Sequence, residues 1–351
     1  MNKTIMLEEI KSQPEKLKQC YEKNKDIIPL IAKTIKAYEP NNIILVGRGT
    51  SLHSAYYAKY LFEIYYEIPV SIASPSVFTV YNRNLKMDKT LVIAISQSGK
   101  GKDIFEVVKK ANEKGALTLS ITNNEKSIVA IESKYDLYNN VDEAVAYAAT
   151  KTYTSTIYLL TKLIYELTGV AELDLDENRV CEALENSLKY YDQIKEDVKT
   201  FKDKNQLISI ARGYNLGLAN ELSLKLKEGS HMQADAFASS EFYHGPIVMA
   251  TNKEIPIVLF AVDKVTNKNI DDLIKELKKM GSYTYVITNI GDILNNADNG
   301  INILEDNDLY AMFTAIGIMQ LFACELSVIK GFNPDFVDVL EHIDTISKKK
   351  I

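Results

Sequence analysis

Cysteine and clustered histidine are scarce in this sequence, and their scarcity limits the kinds of site it can build. The cysteines Cys20, Cys181 and Cys324 are scattered and odd in number, which predicts neither a disulfide framework nor a cysteine metal centre. The four histidines also lack metal-ligand spacing. We therefore expect a protein of the reduced cytoplasm, with cysteines that pack rather than react and with no bound metal.

Clustered positive charge and long apolar runs are also scarce. The net charge is −6 over 351 residues, and the one basic block is the Lys-Lys-Lys run at 348–350, so nucleic acid is not expected as a partner. No apolar run looks long enough to span a bilayer, and the polar start at residues 1–4 does not resemble a signal peptide. We expect neither nucleic-acid nor membrane binding.

The clearest functional pattern is an apolar strand that ends in polar residues. Residues 91–95 form a near-continuous apolar run, typical of a strand buried on both faces of a parallel sheet. A Ser-Gln-Ser-Gly loop follows at 96–99, and then an apolar spacing typical of a helix. Ligands of open α/β sheets bind beyond the carboxyl ends of strands, where a helix start favours an anion. We interpret the loop as a phosphate cradle; the alternative is that Ser96 or Ser98 only caps the helix.

The second half of the chain repeats the first. The apolar strand and glycine loop at 43–49 recur at 207–213, and the strand at 115–123 recurs at 281–289. Between the recurring segments lies the apolar run 255–262, the counterpart of the strand described above. The order strand, helix, strand, helix, strand thus occurs twice, which predicts an α/β protein of two tandem doubly wound parallel-sheet domains.

The length and the repeat together predict the domain boundaries. Pro14 and Pro29 are expected to start new helices. The predicted parts are N-terminal helices at 1–40, a first domain at 41–170, a linker at 171–203 carrying one charged helix from 177, a second domain at 204–332, and a tail at 333–351.

The two repeats differ in the residues that could carry chemistry. The first has hydroxyls in both of its loops, whereas the second has Tyr-Asn at 214–215 and Ala-Val-Asp at 261–263. An anion is therefore expected in the first half. The second half offers Glu221, Lys225 and Glu228 at helical i, i+4, i+7 spacing, which places them on one helix face. The alternative is that Glu221 and Lys225 form an ordinary solvated ion pair.

Taken together, the motifs resemble the SIS (sugar isomerase) family in its two-domain form. The resemblance is to the isomerase half of glucosamine-6-phosphate synthase and to stand-alone phosphosugar isomerases and aminosugar-phosphate deaminases. The matching motifs lie at residues 47–51, 94–99, 148–154, 224–228 and 241–246. The resemblance implies a flavodoxin- or Rossmann-like α/β/α sandwich for each domain, a phosphosugar substrate, and no metal or organic cofactor.

The resemblance also implies roles for particular residues. Glu228 corresponds to the base that moves a proton between C1 and C2, and Lys225 to a lysine assisting at the C1 end. His244 corresponds to a ring-opening histidine supplied by a neighbouring subunit, which implies a homodimer; alternatively it is a plain turn residue before Gly-Pro. The residues expected to bind the phosphate and the sugar are Gly49, Thr50, Ser51, Ser96, Gln97, Ser98, Gly101 and the backbone around Tyr147.

The sequence departs from the family pattern at two places. Lys100-Gly101 stands where the family has Glu-Thr, so one phosphate hydroxyl is missing and Lys100 could compensate with its charge. The tail lacks the family's Pro-Arg pair, and counting places His342 where a lysine closes the site. The tail is therefore either a lid carrying His342 or an amphipathic helix that packs through Val337, Leu340 and Ile343.

The chemistry expected of such a site is aldose–ketose isomerisation of a 6-phosphosugar. Proton transfer along C1–C2 needs a carboxylate whose pKa is raised by burial, and ring opening suits a histidine. No N-terminal catalytic cysteine for glutamine hydrolysis is present, so ammonia release is expected rather than ammonia incorporation. Two alternatives stay open, namely a deglycase of a sugar–amino-acid phosphate and a non-catalytic sugar-phosphate sensor.

Overall fold

The computed structural model describes residues 4–336, and two helices open the chain, α1 Ile5–Asn24 and α2 Ile27–Tyr38. Pro14 lies inside α1, so the prediction that it starts a new helix is wrong. A proline has no N–H for the carbonyl four residues earlier. The side-chain amide of Gln13 donates to that carbonyl, of Ile10, at 3.2 Å and so replaces the missing bond. Pro29 lies in the first turn of α2, as expected.

The first half folds into a parallel five-stranded sheet in the order β2-β1-β3-β4-β5. The continuous apolar runs become its central strands, and Ile43 of one pairs with Leu91 of the next. The strands are β1 Asn42–Val46, β2 Val70–Ile72, β3 Thr90–Ser96, β4 Leu117–Thr122 and β5 Tyr135–Tyr138. The helices are α3 Thr50–Leu61 with a π-helical turn at Phe62–Tyr66, α4 Pro75–Thr79, α5 Lys102–Glu113, α6 Ile128–Glu132 and α7 Lys151–Thr168.

A segment between the two sheets was predicted as one charged helix from 177 to 203 and is instead divided. It contains two α-helices, α8 Glu177–Leu188 and α9 Tyr191–Asp197, flanked by 3-10 turns at Ala171–Leu173 and Val198–Phe201. The break follows α8, where Lys189 and Tyr190 make short-range turn bonds to Asn186 and Ser187. Charge pattern alone does not reveal such a break, because the residues around it are all acceptable in a helix.

The second half repeats the first sheet, which confirms the predicted tandem α/β architecture. Its order, β7-β6-β8-β9-β10, reproduces the order of the first sheet strand by strand, and all its pairs are parallel. The strands are β6 Gln206–Ala211, β7 Gln233–Ala238, β8 Ile257–Ala261, β9 Thr284–Thr288 and β10 Asn299–Asn302. The helices are α10 Leu216–Ser230, preceded by a 3-10 turn at Gly213–Asn215, α11 Ser239–Tyr243 with a 3-10 turn at Pro246–Thr251, α12 Asn267–Met280, α13 Gly291–Leu294 and α14 Asp308–Ile329.

Sequence analysis did not identify β5, β7 and β10, and all three are edge strands. An edge strand has a neighbour on one side only, so its residues need not be uniformly apolar. The structure shows this directly, since most residues of these three strands are only half-buried.

One helix corrects the expectation that no apolar run is long enough to span a bilayer. By length and composition alone, α14 could cross a membrane, but most of it is buried inside the protein. It packs against α1, α8 and α10, and Gln320 in its middle accepts a hydrogen bond from Gln13 at 2.7 Å. The helix therefore forms the centre of the hydrophobic core that joins the two halves.

Candidate active site

Two loops meet at the carboxyl edge of the first sheet, where β1 and β3 are neighbours and the chain order reverses. Helix α3 follows β1 and its cap is Gly49, whose φ of 54° suits glycine. Helix α5 follows β3 and its cap is Gly101. Within residues 4–336 neither helix start has a side-chain cap. The alternative that Ser96 or Ser98 caps α5 is therefore wrong. The N–H groups of Thr50, at the start of α3, and of Lys102 and Asp103, at the start of α5, make no hydrogen bond between described residues and can face an anion.

A cavity of about 450 Å³ lies at this edge and gathers most of the predicted site residues. Ile95 and Ile104 form its apolar part. The predicted residues that line it are Thr50, Ser51, Ser96, Gln97, Ser98, Gly101, Tyr147 and Glu228. No hydrogen bond between described residues uses the side chains of Ser51, Ser96 or Gln97, so all three remain available to a ligand. Gly49 instead shapes the loop as the cap of α3.

Glu228 reaches this cavity from the other half of the chain. It lies near the end of α10, which packs against α3 of the first half. Burial raises the pKa of Glu228 to about 7, with Lys225 opposing and Glu221 reinforcing the shift. No donor in the described part of the chain is hydrogen-bonded to this carboxylate. The group is thus a carboxylate with an exchangeable proton near neutral pH, facing a polar cavity.

Behind Glu228, a buried network links the two halves. The Glu221 carboxylate is fully buried and accepts hydrogen bonds from Thr50 Oγ1 at 2.9 Å and from Lys225 Nζ, while His53 Nδ1 lies 2.7 Å from its other oxygen. Burial would raise the pKa of Glu221, but Lys225 and His53 outweigh it and lower the pKa to about 2. The alternative of a solvated Glu221–Lys225 pair is wrong, because both side chains have no exposed surface.

Lys225 supports the wall of the cavity rather than facing into it. Besides Glu221, its ammonium group donates to the carbonyl of Ala149, a residue that lines the cavity. Its predicted role at the sugar C1 end would require it to reach the substrate, and Lys225 is not among the residues that line this cavity. We treat it as a positioning residue. His53, to which sequence analysis gave no role, belongs to the same network.

Arg48 is a cavity residue that sequence analysis missed. Arg48 lines the cavity, and its guanidinium forms an ion pair with Asp103 at 3.3 Å. Lys100, which was expected to supply the compensating charge, is exposed and does not line the cavity. A Cβ atom on Gly101 would lie 3.4 Å from Arg48 Nη2. The glycine that replaces the family's hydroxyl residue therefore leaves room for this cation. Arg48 lies between two glycines, and nothing local in the sequence shows that its side chain reaches a cavity.

The start of the tail is fixed beside the cavity. Asp335 accepts hydrogen bonds from the N–H groups of Ile5 and Met6, both at 2.8 Å, and its carbonyl accepts from the N–H of Tyr147 at 3.0 Å. Tyr147 lines the cavity, so the last described residues adjoin its wall. His342 and the rest of the predicted lid lie outside the described residues, and their role stays a prediction.

His244 is not brought to the cavity of its own chain. It is an exposed residue after α11, and the cavity is lined by other residues. This placement agrees with a histidine that acts on a neighbouring subunit, which stays a prediction. Among residues 4–336, no group of three or more His, Cys, Asp or Glu side chains is arranged to hold a metal ion.

Gly99 should not tolerate a side chain. Its φ is 61°, and a Cβ atom would lie 1.9 Å from Ser127 Oγ, the hydroxyl that caps α6. We expect Gly99→Ala to lower the free energy of unfolding by roughly 2–4 kcal/mol and to weaken phosphosugar binding, as measured by urea denaturation and calorimetric titration.

Gly115→Ala is the matched control for this variant. Gly115 also has a positive φ, 76°, but nothing lies within 4 Å of its Cβ position. Gly115→Ala should lower the free energy of unfolding by about 1–2 kcal/mol, the cost of backbone strain alone, and should leave phosphosugar binding unchanged. Equal losses in the two variants would show that contact with Ser127 is not what restricts Gly99.

Comparison with known proteins confirms the family. The SIS domain model matches residues 36–165 and 200–330, so the chain belongs to the SIS domain family. It is 32% identical over 341 residues to a glutamine–fructose-6-phosphate aminotransferase (isomerizing) of Thermococcus kodakarensis, a match that covers 94% of this chain. The chain spans only 56% of the length of that relative.

Solved structures confirm the fold. A candidate phosphosugar isomerase from Silicibacter pomeroyi superposes with a TM-score of 0.85 at 24% identity, covering 95% of this chain and all of the other. The C-terminal domain of glucosamine-fructose-6-phosphate aminotransferase from Francisella tularensis gives a TM-score of 0.81 at 24% identity, covering 95% of this chain and 98% of the other.

Proposed function

We propose that this protein is a cytoplasmic enzyme that isomerises a 6-phosphosugar by moving a proton between C1 and C2, with or without release of ammonia. One observation carries the proposal: the polar loop at 96–98 and a carboxylate with a pKa of about 7 line the same cavity. A sensor would need the loop but not the carboxylate. The carboxylate comes from the other half of the chain. Its position in the same cavity as the loop serves proton transfer and is not needed to bind a phosphosugar.

The proposed reaction divides the cavity into two parts. The phosphate binds the loop hydroxyls and the two helix starts, with Arg48 supplying the positive charge. This binding holds the sugar so that C1 and C2 face Glu228. Glu228 takes the proton from one carbon and returns it to the other through an enediol-type intermediate. Donors at the cavity wall stabilise the oxyanion that develops.

A panel assay tests this proposal. Aldose 6-phosphates, ketose 6-phosphates and amino-sugar 6-phosphates are incubated with the full chain, and ketose formation and ammonia release are followed together. We expect turnover of at least one substrate, with ammonia release only from amino sugars. A fructose–amino-acid phosphate is included, because its cleavage alone would identify a deglycase. Tight binding without any turnover would overturn the proposal in favour of a sensor.

The loop serines should contribute mainly to affinity. Each charge-assisted hydrogen bond to phosphate stabilises binding by about 1.5–3 kcal/mol, so Ser96→Ala with Ser98→Ala should weaken phosphosugar binding roughly 10²- to 10⁴-fold. Calorimetric titration with glucose 6-phosphate measures the loss, and Thr251→Ala, which removes an exposed hydroxyl outside the cavity, is the control. Unchanged affinity in the double variant would show that the loop does not hold the phosphate.

The predicted homodimer can be tested by complementation. We expect at least a dimer in sedimentation, and Glu228→Gln and His244→Ala each inactive on their own. If His244 acts across subunits, a 1:1 mixture of the two variants should recover about a quarter of wild-type activity, because half the dimers are mixed and each has one intact site. A mixture that stays inactive, or an active monomer, would contradict the exchange of His244.

A further inference from the structure

The second sheet has a cavity of its own at the position that corresponds to the candidate site of the first. It lies beyond the carboxyl ends of β6 and β8, neighbours between which the chain order reverses, and its volume is about 680 Å³. Ligands of open α/β sheets bind at such points, and the volume is typical of small-molecule sites. The serine and threonine loops of the first half do not recur here, so the two cavities differ in chemistry.

One polar group in this second cavity has no partner. Tyr214 is only 7% exposed, lines the cavity and packs edge-on against Tyr57, with ring centroids 6.1 Å apart. Within the described residues its hydroxyl makes no hydrogen bond. Since the residue lines the cavity, this hydroxyl is available to a polar atom of a molecule bound there.

Three donors at the second cavity, two backbone N–H groups and one ammonium group, are already used by the chain itself. Asp263 Oδ1 accepts from the N–H of Val265 at 2.9 Å, and Asp308 Oδ2 accepts from the N–H of Lys264 at 2.9 Å. The ammonium group of Lys264 donates to the carbonyl of Asp306. In the first cavity, by contrast, the side chains of Ser51, Ser96 and Gln97 make no hydrogen bond between described residues. The second cavity is therefore less suited to phosphate than the first.

The charges of the second cavity favour a cation. Its acidic residues outnumber its basic ones, since Glu172, Asp263, Asp306 and Asp308 face only Arg212 and Lys264. Tyrosine rings form other parts of the wall and can stack on an ammonium group. Arg212 has no ion-pair partner among residues 4–336 and is free to bind an oxygen of the same ligand.

We propose that the second cavity binds a small molecule carrying a protonated amino group, and that it rejects phosphate. Amino sugars and amino acids share this chemistry, and the experiment separates them. The inference does not depend on the proposed isomerase chemistry, because it concerns different residues at a different sheet edge.

The test is calorimetric titration of the full chain on the Ser96→Ala, Ser98→Ala background, in which the first cavity is weakened. The probes are glucosamine, glycine, glucose and inorganic phosphate. We expect saturable binding of glucosamine or glycine, with glucose and phosphate at least tenfold weaker. Tyr214→Phe should weaken amine binding roughly 3- to 10-fold and Asp263→Asn roughly 10- to 100-fold. Tyr81→Phe, at an exposed tyrosine outside the cavity, should have no effect.

The outcomes distinguish the ligand source and can overturn the inference. Binding of glucosamine alone assigns an amino sugar, whereas binding of glycine that Arg212→Ala weakens assigns an amino acid. Circular dichroism verifies that each variant is folded. If Asp263→Asn does not fold, the conservative Tyr214→Phe variant alone tests whether the second cavity binds the amine. No saturable amine binding, equal binding of glucose, or amine binding that a folded Tyr214→Phe variant leaves unchanged would each overturn it.

Discussion

Replacing Glu228 by glutamine is expected to lower turnover by roughly 10²- to 10⁴-fold while the protein still binds its phosphosugar. The amide keeps the shape of the side chain but cannot accept a proton from carbon. The phosphate loop, which supplies most of the affinity in this proposal, is unchanged. Steady-state kinetics and calorimetric titration on the same preparation separate the two effects.

The same substitution should stabilise the fold above neutral pH. The pKa of Glu228 is about 7 in the folded protein, above its ordinary 4.5, so the folded state holds the proton more tightly than the unfolded state. Stability of the wild type therefore falls as pH rises from 4.5 to about 7. Glu228→Gln should be more stable than wild type by about 1–3 kcal/mol at pH 8 and equal to it near pH 4.

Urea denaturation at the two pH values measures this difference, and Glu276→Gln, at an exposed carboxylate on α12, is the control. The activity of the wild type should rise toward pH 7 and then level off, because the base must lose its proton. Substantial turnover in Glu228→Gln would remove this residue from the mechanism. A Glu228→Gln variant that is inactive but no more stable than the wild type at pH 8 would show that burial does not raise the pKa of Glu228 in the wild type.

Replacing Lys225 by methionine is expected to destabilise the protein by about 3–5 kcal/mol. The substitution preserves much of the side-chain volume but leaves the Glu221 carboxylate buried without its main counter-charge. Adding Glu221→Gln should restore part of the loss, because the buried charge is then gone as well. Urea denaturation at pH 7 measures the wild type and both variants.

An exposed pair with the same spacing gives a matched control for Lys225→Met. Lys275 and Asp271 are also four residues apart on a helix, but the Lys275 side chain is 48% exposed. Lys275→Met should therefore cost less than about 0.5 kcal/mol. An equal loss of unfolding free energy in the two lysine variants would show that burial of the Glu221–Lys225 pair does not increase its contribution to stability.

Two pH effects identify Lys225 as a positioning residue. Lys225 lowers the pKa of Glu228, so its removal should move the pH–activity profile to higher pH. The pKa of Glu221 is about 2, below its ordinary 4.5, so its stabilising contribution in the wild type is present above pH 4.5 and lost as pH falls toward 2. A purely structural lysine would change stability without moving the activity profile.

The sequence by itself determined the architecture. Continuous apolar runs predicted the central strands of both sheets, because a strand covered by helices on both faces must be apolar throughout. Their recurrence in the second half predicted the tandem arrangement, which the identical strand orders confirm. The edge strands β5, β7 and β10 escaped prediction because half-exposed strands need no such run.

Sequence reasoning also identified the residues of the candidate site, although a large part of that came from family resemblance. Spacing placed Glu221, Lys225 and Glu228 on one helix face but could not say which of them is buried or which faces the ligand. Counting along the chain likewise missed Arg48, because a lone arginine between glycines carries no local sign of what lies across the loop.

Tertiary structure alone decided which of these residues are buried in the network and which one faces the cavity. Packing of α10 against α3 buries Glu221 and Lys225 completely and leaves Glu228 facing the loop. The difference in burial and neighbours separates the pKa values of the two glutamates, to about 2 for Glu221 and about 7 for Glu228. The two glutamates are seven residues apart, yet their pKa values move in opposite directions. Glu221 has a buried ammonium partner that lowers its pKa, whereas Glu228 is desolvated at the cavity, which raises its pKa.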